Sequence, residues 1–256
     1  MQISPELKAL INSGLDEIHR SEKHILGKDI RHAIYRTICP DIDAGLTFID
    51  RLKRSGAEGW PYGYHQYACL VILTAKHAFP IFEEFAKQFE TDYEPLQELI
   101  ALPNQILKVA EAVASGNYDI DEASILLSSD FYLGTSGIGH AFTYPVSCAG
   151  MAASGTLAMV LYGYRGDVAH HAVEAYSAID DNPRGVWFRN YYPIDSINPK
   201  FYASYFLDEA TFKDRKTGYP SIYQPPIPIR YNLQKRFDFW QWWLTEAIVK
   251  ACEIDI

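Results

Sequence analysis

YHQYACLVILTAKH, residues 64–77, is long and mostly apolar, and it predicts a central helix. Pro80 is expected to kink that helix or start a new one, because proline removes a donor and crowds the preceding turn. Phe79, Phe82, Phe85 and Phe89 mark one helical face beyond it. Thr91-Asp92 offers a cap and Pro95 a first-turn proline, and Pro103 interrupts again. Ile106, Val109, Ala110 and Val113 continue helically to Ser115-Gly116, and a short helix follows over 119–130.

From Phe131 to Tyr164 there is no Asp, Glu, Lys or Arg. A membrane span needs roughly 20 strongly apolar residues. This stretch holds Pro145, His140 and many small or hydroxylated residues, so it predicts a helix buried on all sides, at least from Ser147 to Leu161. Gly163 and Gly166 mark a turn, and Asp167 to Ile179 makes another helix. On the N-terminal side, Ser4-Pro5-Glu6 is a helix start, with Leu7, Leu10, Ile11, Leu15 and Ile18 at helical spacing. A second helix is expected from about Asp41 to Arg54, ended by Gly56.

After Asp180 the character changes. Half of the 14 prolines fall between Pro183 and Pro228, and GYPSIYQPPIPIR (218–230) is incompatible with regular helix. The chain closes with a helix over Gln234–Ala251 whose stripe is Phe237, Trp240, Leu244, Ala247, Ile248 and Ala251. The expected fold is therefore mainly α. It is a single-domain multi-helix bundle with a helical body (1–181), a Pro/Tyr-rich irregular extended arm (182–231) and a C-terminal amphipathic helix (232–252) packed back on the body. Trp240, Trp242 and Trp243 cannot share one face of that helix, so one or two are core and another is open to a partner.

The net charge of −9 resides in the middle of the chain, where four basic residues between Tyr62 and Ile179 face thirteen acids. The flanking segments are each balanced. The excess is densest at Glu83, Glu84, Glu90, Asp92, Glu94 and Glu98. A concentrated negative field attracts basic surfaces and repels phosphate backbones, which argues against nucleic acid as a partner. The same six acids also suit an ordinary solvated face or the helix dipole. Cys39, Cys69, Cys148 and Cys252 are scattered without a CxxC or Cys/His cluster, which argues against a thiolate zinc site. With an N-terminus lacking a basic start and an apolar core, this suggests a reducing, cytoplasmic setting and no membrane partner.

Candidate chemistry is sparse. Gly134 to Gly139 (GTSGIG) looks like a dinucleotide loop, but no clear strand precedes it and Ile138 stands where a glycine is required. Tyr231 and Lys235 form a YxxxK pair in an unsuitable context. Asp167, His171 and Glu174 lie on one helical face at i, i+4 and i+7, a ligand spacing that would serve a metal-dependent helical enzyme if a facing helix supplied further donors. His19, Glu22, Lys23 and His24 read as a solvated face.

Three stretches carry a family likeness. They are Ala68-Cys69 through Ala75 with Ala78-Phe79-Pro80-Ile81-Phe82-Glu83; Pro95-Leu96 with Ala110 to Gly116 and Asp119-Ile120-Asp121-Glu122-Ala123; and Phe239-Trp240-Gln241-Trp242-Trp243-Leu244 with Glu246-Ala247. Together they resemble the immunity-protein family numbered five of bacterial polymorphic toxin systems, over roughly Tyr64 to Leu161 plus the last helix. The resemblance implies a non-catalytic, mainly helical protein, without cofactor, that neutralises a cognate protein toxin by binding it. The acidic cluster is then the candidate contact set for a basic toxin surface. A metal centre at Asp167, His171 and Glu174, or self-association into a homo-oligomer through the aromatic last helix, are the competing readings.

Overall fold

The structure, a computed structural model, describes residues 3–43, 48–50, 60–88, 94–117, 119, 121–127, 144–163, 167–179 and 230–253. The fold is mainly α, and among these residues there is no strand, only an isolated antiparallel bridge between Ala178 and Tyr231.

Helix α1 (Pro5–Arg20) begins as its sequence dictates. The Ser4 hydroxyl accepts the Leu7 N–H at 3.1 Å, and Leu7, Ile11, Gly14 and Ile18 form its buried line. Helix α2 (Lys28–Ile38) was not expected. Its buried residues are Arg31, Ile34, Tyr35 and Ile38, a stripe headed by a cation. The helix expected over 41–54 begins instead as a 3-10 turn at Pro40–Asp43, with helical backbone again at 48–50. Its remainder, with Gly56, lies outside the described residues.

Helix α3 (Tyr64–Gln88) runs unbroken past Pro80, and α4 (Glu94–Ala114) past Pro103. Neither proline starts a new helix. Pro80 and Lys76 are both on the exposed face, where water can serve the carbonyl that the proline leaves without a donor. Phe79 and Phe82 are buried as expected; Phe85, Phe89 and the Thr91-Asp92 cap lie outside the described side chains. Helix α4 ends in a Schellman motif at Gly116 (φ +74°), with Gly116 N–H to Val113 O at 3.0 Å and Asn117 N–H to Ala112 O at 2.8 Å. Asp119 caps the helical residues 121–127, its Oδ1 accepting the Asp121 N–H at 2.7 Å.

Helix α5 (Tyr144–Tyr162) is the charge-free helix, and it packs on α3, α4 and α6 (Val168–Ser177). Ala149, Ala152 and Ala153 on α5 are fully enclosed, and such small side chains permit close approach. Its last turn has carbonyls without helical partners. The Tyr64 hydroxyl donates to one of them, Val160 O, at 3.0 Å, which ties α3 to the end of α5. His65 does the same for α4, its Nδ1 lying 2.8 Å from Ala114 O.

The C-terminal helix α7 has three parts, α-helical Leu233–Trp242, π-helical Trp243–Ala247 and α-helical Ile248–Cys252. Asn232 caps it by accepting the Lys235 N–H at 3.0 Å. It lies on α6, α3 and α1. Trp240 and Trp243 are core, and so is Phe239, while Phe237 is only half-buried. Buried residues from all these helices join one contiguous apolar cluster.

Residues 182–229 of the expected arm lie outside the described residues, as do Gly134–Gly139. Where the chain leaves α6 and returns to α7, Ile179 N–H bonds Arg230 O at 3.0 Å and Asn232 N–H bonds Ser177 O at 2.8 Å. All four cysteines are free thiols, with Cys39, Cys148 and Cys252 buried and Cys69 half-buried. Among the described residues, no helix is long and apolar enough to cross a membrane.

Candidate functional site

The three residues at metal-ligand spacing do share one face of α6, but what meets them is guanidinium. Asp167 is the N-cap of α6, its Oδ1 accepting the His170 N–H at 3.0 Å. Its Oδ2 accepts from Arg31 Nη2 of α2 at 2.5 Å. Two turns on, Glu174 is buried and pairs with Arg236 Nη2 of α7, and its second oxygen accepts the Tyr231 hydroxyl. Arg236 Nε also donates to Ser177 Oγ at 3.2 Å, and its guanidinium lies 3.7 Å from the Tyr231 ring centroid. The result is a ladder of alternating charge that joins α2, α6 and α7.

His171 sits between the two carboxylates. Burial holds its imidazole below the ordinary value near 6.5; His170 adds to this, while Asp167 and Glu174 oppose it. Each neighbouring carboxylate is already compensated by an arginine, so neither is left to ligate a cation. Among the described residues, no group of three or more His, Cys, Asp or Glu is arranged to hold a metal ion. The facing-helix donors that the metal reading required are replaced by Arg31 and Arg236.

Sequence reasoning missed both arginines, although a shared signal marks them. Arg31 precedes Ile34, Tyr35 and Ile38, and Arg236 precedes Phe239, Trp240 and Trp243, each at i+3, i+4 and i+7. An arginine heading an apolar stripe is carried into the core with it, and a buried cation requires a buried anion. Trp240 adds to the outer end of the ladder, with the Arg31 guanidinium 5.4 Å from its ring centroid.

Of the six acids in the contact set, Glu83 and Glu84 are exposed on the last turns of α3. Glu94 and Glu98 belong to α4, with their side chains outside the described set, and Glu90 and Asp92 lie wholly outside it. Trp242, half-buried where Trp240 and Trp243 are core, has an internal partner. It stacks on His77 at 3.7 Å and 15°, and Tyr176 and Phe239 close the cluster. His24 is likewise not simply solvated: its Nδ1 lies 2.8 Å from Ile18 O and its ring meets Phe237 edge-on.

No protein-family profile matches this chain, and no curated protein matches it.

Proposed function

We propose that this protein is a non-catalytic, cytoplasmic binding protein that neutralises a protein toxin by holding a basic surface of it against the acidic end of α3. One observation carries the proposal: the whole net charge falls between Tyr62 and Ile179, and within that segment Glu83 and Glu84 stand exposed side by side. A local negative field of this kind speeds encounter with a basic partner. The ionisable groups that offered an alternative chemistry, Asp167 and Glu174, are spent on holding helices together. The likeness of three stretches to an immunity-protein family points the same way and rests on those stretches alone.

The test is co-purification of the full chain with the product of the neighbouring gene, followed by binding kinetics. The expected result is a stable complex whose association rate falls with added salt and falls about tenfold or more in a Glu83→Lys/Glu84→Lys variant. No complex, or an association rate indifferent to both changes, overturns the proposal.

A further inference from the structure

Twice inside this molecule an arginine is held by one carboxylate and one aromatic face. Arg31 meets Asp167 at 2.5 Å, with its guanidinium 5.4 Å from the Trp240 ring centroid. Arg236 pairs with Glu174 and lies 3.7 Å from the centroid of Tyr231. A third set of rings and carboxylate stands at the surface, built by α3, α6 and α7. Trp242 of α7 stacks on His77 of α3 at 3.7 Å and 15°, and Tyr176 of α6 is 5.1 Å from the same imidazole. All three rings are half-buried. Behind them lies the fully buried Phe239, its centroid 5.7 Å from His77 and Trp242 and 5.9 Å from Tyr176.

Glu246 supplies the carboxylate. It is exposed, and it follows Trp242 by four residues, a spacing that puts two side chains on one helical face. Its charge acts on His77, where it opposes the effect of burial. Glu84 adds a second exposed carboxylate, seven residues beyond His77 on the same face of α3 and about 10 Å along the axis. Among the described residues, no guanidinium lies over these rings. The cation there is Lys235, whose Nζ is 5.9 Å from the Tyr176 centroid, at the outer limit of a cation–π contact. Neither Glu84 nor Glu246 forms an ion pair with a described residue.

We propose that Trp242, His77 and Tyr176 with Glu246 form an arginine-docking site, which seats a guanidinium of the basic protein partner against Trp242 while Glu246 pairs with it. A guanidinium suits the place because its plane stacks on a ring while its edge donates to a carboxylate, and it sheds water more readily than an ammonium. Packing on Phe239 already fixes the rings, so little freedom is lost on docking. The site presupposes that the end of α3 meets a basic partner, and it puts the anchor of that contact beside Glu83 and Glu84 rather than on them.

Titration of the full chain with tri-arginine amide and tri-lysine amide, two probes of equal charge, tests this without any toxin. The readout is the Trp242 indole N–H resonance at low salt, assigned by its absence from Trp242→Leu. The expected result is a saturable shift with tri-arginine at about threefold or more tighter affinity than with tri-lysine. Glu246→Gln should weaken tri-arginine binding by about threefold or more, while Glu253→Gln, which removes another exposed acid near the end of α7, should not. An unmoved Trp242 resonance, equal affinities for the two peptides, or equal losses in the two glutamine variants overturns the proposal. If Trp242→Leu does not fold, the two glutamine variants, each changing one exposed carboxylate, decide through the indole resonance that shifts most. The toxin complex and this site fail separately: a salt-dependent complex that survives Glu246→Gln while the peptides are not distinguished removes the site alone.

Discussion

Trp243 donates its indole N–H to the hydroxyl of Thr74 at 2.9 Å, and Thr74 in turn donates to Leu70 O at 2.6 Å. Both side chains are fully buried, so the bond pins the π-helical part of α7 to the middle of α3 without any contact with water. Thr74→Val keeps the shape and strands the indole N–H. It is expected to cost about 1–3 kcal/mol in urea unfolding. Adding Trp243→Phe removes the orphaned donor, so the double variant should lose less than the two single losses together.

Arg236→Met leaves the buried Glu174 carboxylate without its guanidinium partner, and a loss of about 3–5 kcal/mol is expected. Glu174→Gln combined with Arg236→Met removes both charges and should recover much of it. Unfolding midpoints of the two variants check this; equal losses for the single and the double variant would show that the pair acts through shape alone.

Two glycines should rank differently. Gly63 has φ +76°, and a Cβ there would stand 1.7 Å from the Ile38 carbonyl oxygen, a backbone atom that cannot yield. Gly63→Ala should abolish folding or displace the start of α3. At Gly14 a Cβ would meet Leu244 Cδ2 at 2.9 Å, the tip of a side chain that can rotate away. Gly14→Ala should cost about 1–3 kcal/mol from overpacking. Circular dichroism and thermal melts separate the two outcomes.

Burial also holds the His77 imidazole below its ordinary value, with Glu246 opposing. The unfolded chain therefore takes up this proton before the folded one does. The His77 contribution is complete above about pH 6.5, falls as pH drops below it, and levels off once the folded-state imidazole protonates as well. His77→Phe preserves a ring against Trp242 and removes the titration. Its unfolding midpoint should fall less between about pH 7.5 and about pH 5.5 than that of the unmodified chain.

Much of the fold was legible because its signals are local. The Ser4-Pro5 start, the turn at Gly116, the charge-free α5 and the span of α7 each follow from neighbouring residues alone. Helix α2 was not legible because one of its core positions is Arg31, and a cation in an apolar stripe hides the period. Pro80 starts no new helix because a proline on a wet face costs less than one inside. At the candidate site, Asp167 and Glu174 have a spacing that fits metal ligands and structural anchors equally. Their partners lie 136 and 62 residues away in the chain, and spacing within one helix carries no information about them. The division between Trp240 and Trp243 inside and Trp242 at the edge was foreseen in part, but its stacking partner His77 comes from another helix.

The pairing of Ile179 with Arg230 and of Ser177 with Asn232 brings together two points separated by some fifty residues of chain. For the helical body this junction works as a splice point. The entropy of closing a loop there changes by only about 0.6 kcal/mol for each doubling of its length. A change in the length of chain between these anchors therefore costs the helical body little while Arg236 still reaches Glu174.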